Sequence, residues 1–109
     1  MRLADKKCVP CEGGTPPLAS EEVSKYMEEL SGEWTLHDAK VIIRTFVFKN
    51  FIEAIDFINK VAEVAESEDH HPDIKLHSYK KVDIELSTHA IGGLSENDFI
   101  VAAKIEAIE

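Results

Sequence analysis

Residues 79–89 read YKKVDIELSTH and have the strongest periodic pattern in the chain. Apolar and polar side chains alternate along this stretch, as in a β-strand, where successive side chains point to opposite faces of the sheet. One face carries Val82, Ile84, Leu86 and Thr88. The opposite face is mostly charged and ends at His89. The pattern is typical of an antiparallel strand with one face on the core and the other toward water.

Helix and strand patterns alternate on both sides of this strand. In chain order, the sequence predicts a helix over 20–32, a hairpin with strands at 34–36 and 41–48, a long helix over about 50–69, a short strand over 74–78, the strand of 82–89 and a helix from 95 onward. Pro72 must end the long helix, because proline disfavours helical backbone in the residue before it. These elements indicate an α+β fold: a four-stranded antiparallel sheet with three helices packed on one face, in the order α-β-β-α-β-β-α.

Two helix starts have capping signals. Ser20 is the predicted N-cap of the first helix, and two glutamates follow it in the first turn. Ser95 and Asp98 have the spacing of a capping box at the start of the last helix, with Leu94 and Phe99 at staple positions. This spacing already accounts for Asp98 as a structural residue.

The chain has room for one domain. It contains 109 residues, 44% of them hydrophobic, which suffices for one core without disulfide or metal staples. We place this domain at 18–109, after an irregular N-terminal arm over 1–17. The arm holds both cysteines, Cys8 and Cys11, in a single CxxC. This motif is structural or incidental, a labile disulfide, or a metal site shared between chains; a zinc ribbon would need a second CxxC.

The charge of the chain is acidic. Twelve Lys and Arg stand against 21 Asp and Glu, a formal net charge of -9 at pH 7. Nucleic-acid binding normally needs clustered basic side chains, and the sequence has no such cluster. No apolar run approaches the roughly 18 residues of a membrane helix, and the first residues lack the apolar segment of a secretory signal. We therefore expect a cytoplasmic protein that binds neither nucleic acid nor a membrane directly.

Histidines are concentrated in one region. Four of the five, His70, His71, His77 and His89, fall within twenty residues. Imidazole changes its protonation near neutral pH and suits general acid and base catalysis, which typically contributes about 10²–10⁴ in rate. The end of the long helix and the end of a strand could bring His70, His71 and His89 to one cleft. His77 is interpreted as a solvated residue at a strand edge, outside this cleft.

Other roles for these residues stay open at this point. A metal site is weakly indicated, because Glu68 and His71 form a single ExxH, whereas a di-iron site needs two such motifs and further glutamates. Histidines at a helix C-terminus are also common as structural residues, since the helix dipole favours positive charge there. If the long helix persists, Glu66 lies four residues before His70 on the same face.

The sequence around the histidines resembles a known family. Glu66-x-x-Asp69-His70-His71-Pro72, Tyr79-x-x-Val82, Ser87-Thr88-His89, Gly93-Leu94-Ser95 and Asp98 are similar in type, order and approximate spacing to the pterin-4a-carbinolamine dehydratases. The resemblance runs from about residue 18 to the C-terminus and leaves out the arm. The segment between Pro72 and Tyr79 differs from the animal members, being one residue longer and without their aromatic residues.

The resemblance implies an enzyme that converts 4a-hydroxytetrahydrobiopterin to quinonoid dihydropterin and water, which recycles the pterin cofactor of aromatic amino-acid hydroxylases. It implies no metal and no cofactor. By resemblance, the catalytic residues are His70, His71, His89 and Glu66. The residues that would bind the pterin are Asp69, His70, His71, Ser87, Thr88 and His89. The alternative for Asp69 is a local capping or orienting role.

The resemblance also implies alternatives and an assembly. Animal members act as dimerisation partners of a homeodomain transcription factor, so a protein-binding module or transcriptional coactivator is the second hypothesis. A dehydratase for another pterin, such as one in molybdenum-cofactor metabolism, is the third. Family members form dimers and often tetramers, and the broad apolar stripe of the 50–69 helix is compatible with a homodimer or homotetramer.

Overall fold

The computed structural model describes residues 2–8 and 16–108. Within these residues it contains the helices α1 (Ser20–Glu29), α2 (Phe51–Glu68) and α3 (Glu96–Ile108) and the strands β1 (Thr35–His37), β2 (Val41–Val47), β3 (Asp73–His77) and β4 (Lys81–Leu86). Short 3-10 turns lie at Leu3–Asp5 and His89–Ile91. The element order and the predicted α+β class are confirmed.

The strands form one antiparallel sheet in the order β1-β2-β4-β3. β4, which has the alternating sequence, lies inside the sheet and pairs with both β2 and β3. Its apolar residues Val82, Ile84 and Leu86 are fully buried, whereas the charged residues between them are half-buried. Val82, Ile84 and Leu86 belong to one core cluster with side chains of all three helices. The alternation therefore marks the sheet face that the helices cover.

α3 is deeply buried from its first turn. Every residue from Asn97 to Ala102 is buried, together with Ile105. The sequence predicted an apolar contact at Phe99 and an apolar face formed by Ala102, Ala103, Ile105 and Ile108, which is narrower than the buried surface of the helix. The difference arises because the first turn of α3 packs against other elements: Phe99, for example, stacks on the ring of Tyr26 in α1 at a centroid distance of 5.2 Å.

α1 is shorter than the sequence predicted. Its N-cap is Ala19, and Ser20 is the first helical residue, so the predicted capping role of Ser20 is wrong. The Glu22 carboxylate instead accepts a hydrogen bond from Ala19 N–H at 3.3 Å, which satisfies one of the donors that a helix start leaves open. The helix ends at Glu29, before residue 32, because Leu30 has extended backbone and enters the core.

α2 begins and ends close to the predicted positions. Asn50 caps its start, where the side chain accepts a hydrogen bond from Glu53 N–H at 2.9 Å. Its end is marked by Asp69, whose backbone is left-handed with φ 52°. The N–H groups of Asp69 and His70 both donate to the carbonyl of Ala65. A left-handed C-cap turns the chain away from the helix axis, so His70 and His71 are not part of α2.

No helix among the described residues has the length and apolar character needed to cross a membrane.

His77 is a strand-edge residue with a side-chain partner on the sheet. It lies at the end of β3, is half-buried, and its Nε2 is 3.0 Å from Asp83 Oδ1. The Thr45 hydroxyl donates to the same carboxylate oxygen at 2.7 Å. The strand-edge position interpreted for His77 is confirmed, since β3 is an edge strand. Its side chain is only partly solvated, because Asp83 on the neighbouring strand β4 bonds to it.

Candidate active site

The end of α2, the turn after β4 and the start of α3 enclose a cleft of about 590 Å³. His70, His71 and His89 all line it. The other lining residues are mostly polar: Cys8, Ser67, Glu68, Asp69, Ser87, Thr88, Ala90 and Asn97. A cavity of about 650 Å³ near residues 2–4 and the end of α3 has no histidine in its lining. The smaller cleft is therefore the candidate active site.

His70 is paired with the buried carboxylate of Asp98. Its Nε2 lies 2.7 Å from Asp98 Oδ1, and 13% of the His70 side chain but none of the Asp98 side chain is exposed. Asp98 Oδ2 accepts hydrogen bonds from Ser95 N–H at 2.9 Å and from the Thr88 hydroxyl at 2.8 Å. Three donors thus converge on one carboxylate, which compensates for its burial.

The hydrogens of this network follow from its partners. Thr88 has a single hydroxyl hydrogen, which it donates to Asp98. The Ser95 hydroxyl must therefore donate in its 2.8 Å contact with Thr88 Oγ1. Because a carboxylate only accepts, Nε2 of His70 carries a hydrogen, and Nδ1 is the ring atom that remains for proton transfer.

Asp98 has the capping role that the sequence predicted and a second contact that it did not predict. It accepts from Ser95 N–H as a residue of a capping box does, and this part of the prediction is confirmed. The Ser95 side chain, however, bonds to Thr88. The contact between Asp98 and His70 was not predicted, because these residues are 28 positions apart in the chain.

His71 forms a second pair that is much more exposed. Its Nε2 lies 2.5 Å from Glu66 Oε2, with 56% of the His71 side chain and 78% of the Glu66 side chain exposed. The sequence placed Glu66 beside His70 on one helical face. That expectation is wrong, because α2 ends at Glu68 and the left-handed Asp69 redirects His70 toward α3. Glu66 is not a lining residue of the cleft and meets the site through His71.

His89 is held by a tight turn after the strand. β4 ends at Leu86, and His89 opens the 3-10 turn His89–Ile91 instead of ending the strand as predicted. Thr88 N–H donates to the carbonyl of Gly93 at 2.8 Å, which closes the turn. Gly93 has no space for a side chain, since a Cβ there would lie 2.8 Å from Pro17 Cβ. The turn leaves His89 exposed at the edge of the cleft.

The N-terminal arm reaches the cleft through Cys8. Its N–H donates to Glu68 Oε1 at 2.8 Å, and its Sγ lies 3.7 Å from the carbonyl oxygen of Asn97. Burial and the neighbouring Glu68 carboxylate raise the pKa of the Cys8 thiol to about 12. Cys11 lies outside the described residues, so the alternatives for the CxxC motif stay predictions. Among the residues that the structure describes, no group of three or more His, Cys, Asp or Glu side chains is arranged to hold a metal ion.

A family model identifies the family of this chain. The model described as Pterin 4 alpha carbinolamine dehydratase matches residues 16–108. The chain belongs to the pterin-4a-carbinolamine dehydratase family. By family it is an enzyme of the hydro-lyase class, and the resemblance found in the sequence is confirmed.

Similar proteins from bacteria support this membership. Two relatives provisionally named pterin-4-alpha-carbinolamine dehydratase come from Nitrosomonas eutropha, 52% identical over 97% of this chain and 92% of the relative, and from Halorhodospira halophila, 50% identical over 99% and 98%. A crystal structure from Brucella melitensis, described as a transcriptional coactivator/pterin dehydratase, is 35% identical with a TM-score of 0.77. That match covers 84% of this chain and 97% of the Brucella chain.

The structure brings most of the predicted site residues together, and their roles stay predictions. Every predicted site residue except Glu66 lines the cleft. The sequence missed the contributions of Cys8, Glu68 and Asn97. No sequence pattern links Cys8 to Glu68, since 60 positions separate them. Asp98 is part of the family pattern, which could have indicated a role in the site. Its spacing from Ser95 already explained it as a helix cap, so its contact with His70 was not predicted.

Proposed function

We propose that this protein converts 4a-hydroxytetrahydrobiopterin to quinonoid dihydropterin and water. In this reaction the bond between C4a and its hydroxyl oxygen breaks, a proton joins the leaving hydroxyl, and N5 loses its proton as the C4a=N5 double bond forms. The chemistry needs one proton donor and one proton acceptor, with no change of redox state. The observation that supports it best is one cleft lined by three histidines, two of which have carboxylate partners.

In this proposal the carboxylates fix the orientation of two of the imidazoles. Asp98 holds Nε2 of His70, and Glu66 holds Nε2 of His71. In both rings Nδ1 is then the atom that exchanges a proton with the substrate. A carboxylate partner also stabilises the imidazolium that forms when a histidine acts as a base.

His89 would complete the set of proton-transferring groups. It is exposed and comes from a different element, so it can approach the substrate from another direction. The acid and base roles among the three histidines can exchange between the two epimers of the 4a-hydroxyl. Together they supply the general acid and base catalysis that the reaction requires.

The polar part of the lining would bind the pterin. A pterin is flat and has hydrogen-bonding groups on its edges, and Asp69 and Ser87 are lining residues that can reach them. Thr88 also lines the cleft, but Asp98 and Ser95 engage its hydroxyl. We therefore assign Thr88 a positioning role, in which it holds the carboxylate partner of His70.

We also propose the setting that the family suggests: recycling of the pterin cofactor of aromatic amino-acid hydroxylases, in a cytoplasmic homodimer or homotetramer. Large apolar side chains lie exposed where β2 ends and α2 begins, namely Val47, Phe51 and Ile52. A second copy of the chain could cover them. Light scattering is expected to give a mass of two or four chains, and a monomer at micromolar concentration would contradict this part of the proposal.

An assay with chemically made 4a-hydroxytetrahydropterin tests the activity directly. We expect catalytic amounts of the pure protein to speed the loss of the 4a-hydroxypterin absorbance at least ten-fold over the spontaneous reaction, because general acid and base catalysis alone is worth about 10²–10⁴. Heat-unfolded protein at the same concentration is the control. Folded protein that leaves the spontaneous rate unchanged would contradict the proposal and favour a protein-binding module.

A further inference from the structure

Residues 2–8, here called the docked arm, lie along α3 and end at the cleft. Leu3 is buried in the core with 3% of its surface exposed. Lys6 Nζ lies 2.7 Å from Glu96 Oε2, and Lys104 Nζ donates to the carbonyl of Ala4 at 3.0 Å. One apolar and two polar contacts therefore attach the docked arm to α3 before it reaches Cys8.

Glu68 joins the docked arm to the end of α2. Its Oε1 accepts from Cys8 N–H at 2.8 Å, its Oε2 lies 3.5 Å from Lys104 Nζ, and 5% of its side chain is exposed. The hydrogen bond from Cys8 and the ammonium of Lys104 hold the pKa of Glu68 below its usual value despite its burial. Lys104 contacts both Glu68 and Ala4, so helix and arm share a common partner.

Glu68 connects the docked arm to the segment of the chain that enters the candidate active site. Glu68 is the last residue of α2 and is followed by Asp69 and His70. A buried carboxylate needs partners to compensate for lost hydration, and Cys8 N–H is one of them. Docking of the arm and the placement of Glu68 are therefore energetically coupled. The docked arm also contributes Cys8 to the lining of the cleft that holds the three histidines.

We propose that Glu68 is a positioning residue that holds Cys8 and the docked arm in place as one wall of the substrate cleft. The identity of the ligand rests on the proposed function, but the connection between Glu68 and the arm does not. The Cys8 thiol, which stays protonated at neutral pH, would contact the bound pterin as a small, weakly polar surface.

Alkylation of Cys8 tests whether Glu68 holds the arm. In a Cys11→Ser background, iodoacetamide should modify Cys8 slowly at pH 8, because the raised pKa leaves little thiolate. We expect Glu68→Ala to speed the modification at least ten-fold more than Glu68→Gln does, as followed by mass spectrometry. Both variants remove the negative charge that raises the pKa of Cys8, but only Glu68→Ala also removes the acceptor of Cys8 N–H. Glu63→Ala, which removes an exposed glutamate of the same helix, is the matched control and should leave the rate unchanged.

A second variant protects this test against misfolding. Leu3→Ala loosens the docked arm without touching α2, and it should also speed the alkylation of Cys8. Circular dichroism verifies that both variants are folded. If Leu3→Ala speeds the alkylation but the folded Glu68→Ala protein does not, or if neither variant changes the rate, the proposal is overturned.

Ligand protection tests the wall itself. We expect 7,8-dihydrobiopterin, a stable pterin without the 4a-hydroxyl, to slow Cys8 alkylation at least five-fold. Glu68→Ala should raise KM at least five-fold and change kcat less, and Glu68→Gln should restore part of the loss, since its amide oxygen still accepts from Cys8 N–H. If the pterin binds by calorimetry but does not slow the alkylation of Cys8, the placement of Cys8 in the wall of the substrate cleft is contradicted. Absence of both binding and activity would count against the proposed function, and the alkylation rates of the variants would still decide the role of Glu68.

Discussion

Asp98→Asn is expected to lower kcat for dehydration of the 4a-hydroxypterin by about 10²–10⁴, with little loss of folded protein. The remaining side-chain oxygen must accept from Ser95 and Thr88, as Oδ2 does now. The amide NH₂ then faces Nε2 of His70, which has to become an acceptor, and its hydrogen moves to Nδ1. A neutral ring with hydrogen on Nδ1 cannot accept a proton there, so the variant has the wrong tautomer for the proposed base.

Steady-state rates at neutral pH with the chemically made substrate measure this effect, and circular dichroism monitors the fold. Asp98→Ala is the companion variant. It leaves the buried donors of Thr88 and Ser95 without their acceptor, and we expect it to lower the free energy of unfolding by about 2–4 kcal/mol in urea titrations. An Asp98→Asn protein with the original kcat would show that the pair of His70 and Asp98 is not needed for catalysis.

His71→Ala and His89→Ala are each expected to lower the rate ten-fold or more without unfolding the protein. Both side chains line the cleft and are exposed, so their removal takes away a group for proton transfer but little buried surface. Substitutions at such exposed positions usually change stability by less than about 0.5 kcal/mol. Rates with the same substrate measure the loss of catalysis, and urea titrations of both variants measure any loss of stability.

His77→Ala is the matched control for these variants. His77 is bound to Asp83 on the sheet and does not line the cleft, so its loss should leave the rate unchanged. Glu66→Gln should lower the rate less than His71→Ala, since a contact between two exposed side chains stabilises its partner only weakly. Unchanged rates in both His71→Ala and His89→Ala would contradict the assignment of the site residues.

Local sequence patterns determined the architecture of this protein. The alternation from Val82 to Leu86 reports directly which side chains face the core, because the period of a strand is a local property. The apolar stripe and Pro72 predicted a helix over about 50–69, and the structure has α2 over Phe51–Glu68, between the Asn50 cap and the left-handed Asp69. At the C-terminal end of α1, where the predicted bound failed, burial of Leu30 in the core overrode the local signal.

The histidines of the site were also recognisable in the sequence, but their partners were not. A helical spacing of four residues suggested that Glu66 is the partner of His70. In the folded chain, Glu66 instead bonds to His71, and His70 bonds to Asp98. The exchange depends on one left-handed residue, Asp69, which ends α2 and turns His70 toward the first turn of α3.

The contact between Cys8 and Glu68 likewise required the packing of the arm on α3. Sequence periodicity describes neighbours within one helix or strand. Which carboxylate meets which imidazole, and which segment closes the cleft, depends on how separate elements are brought together, because these hydrogen bonds join residues that are distant in the chain and form only when the core has placed them within about 3 Å of each other.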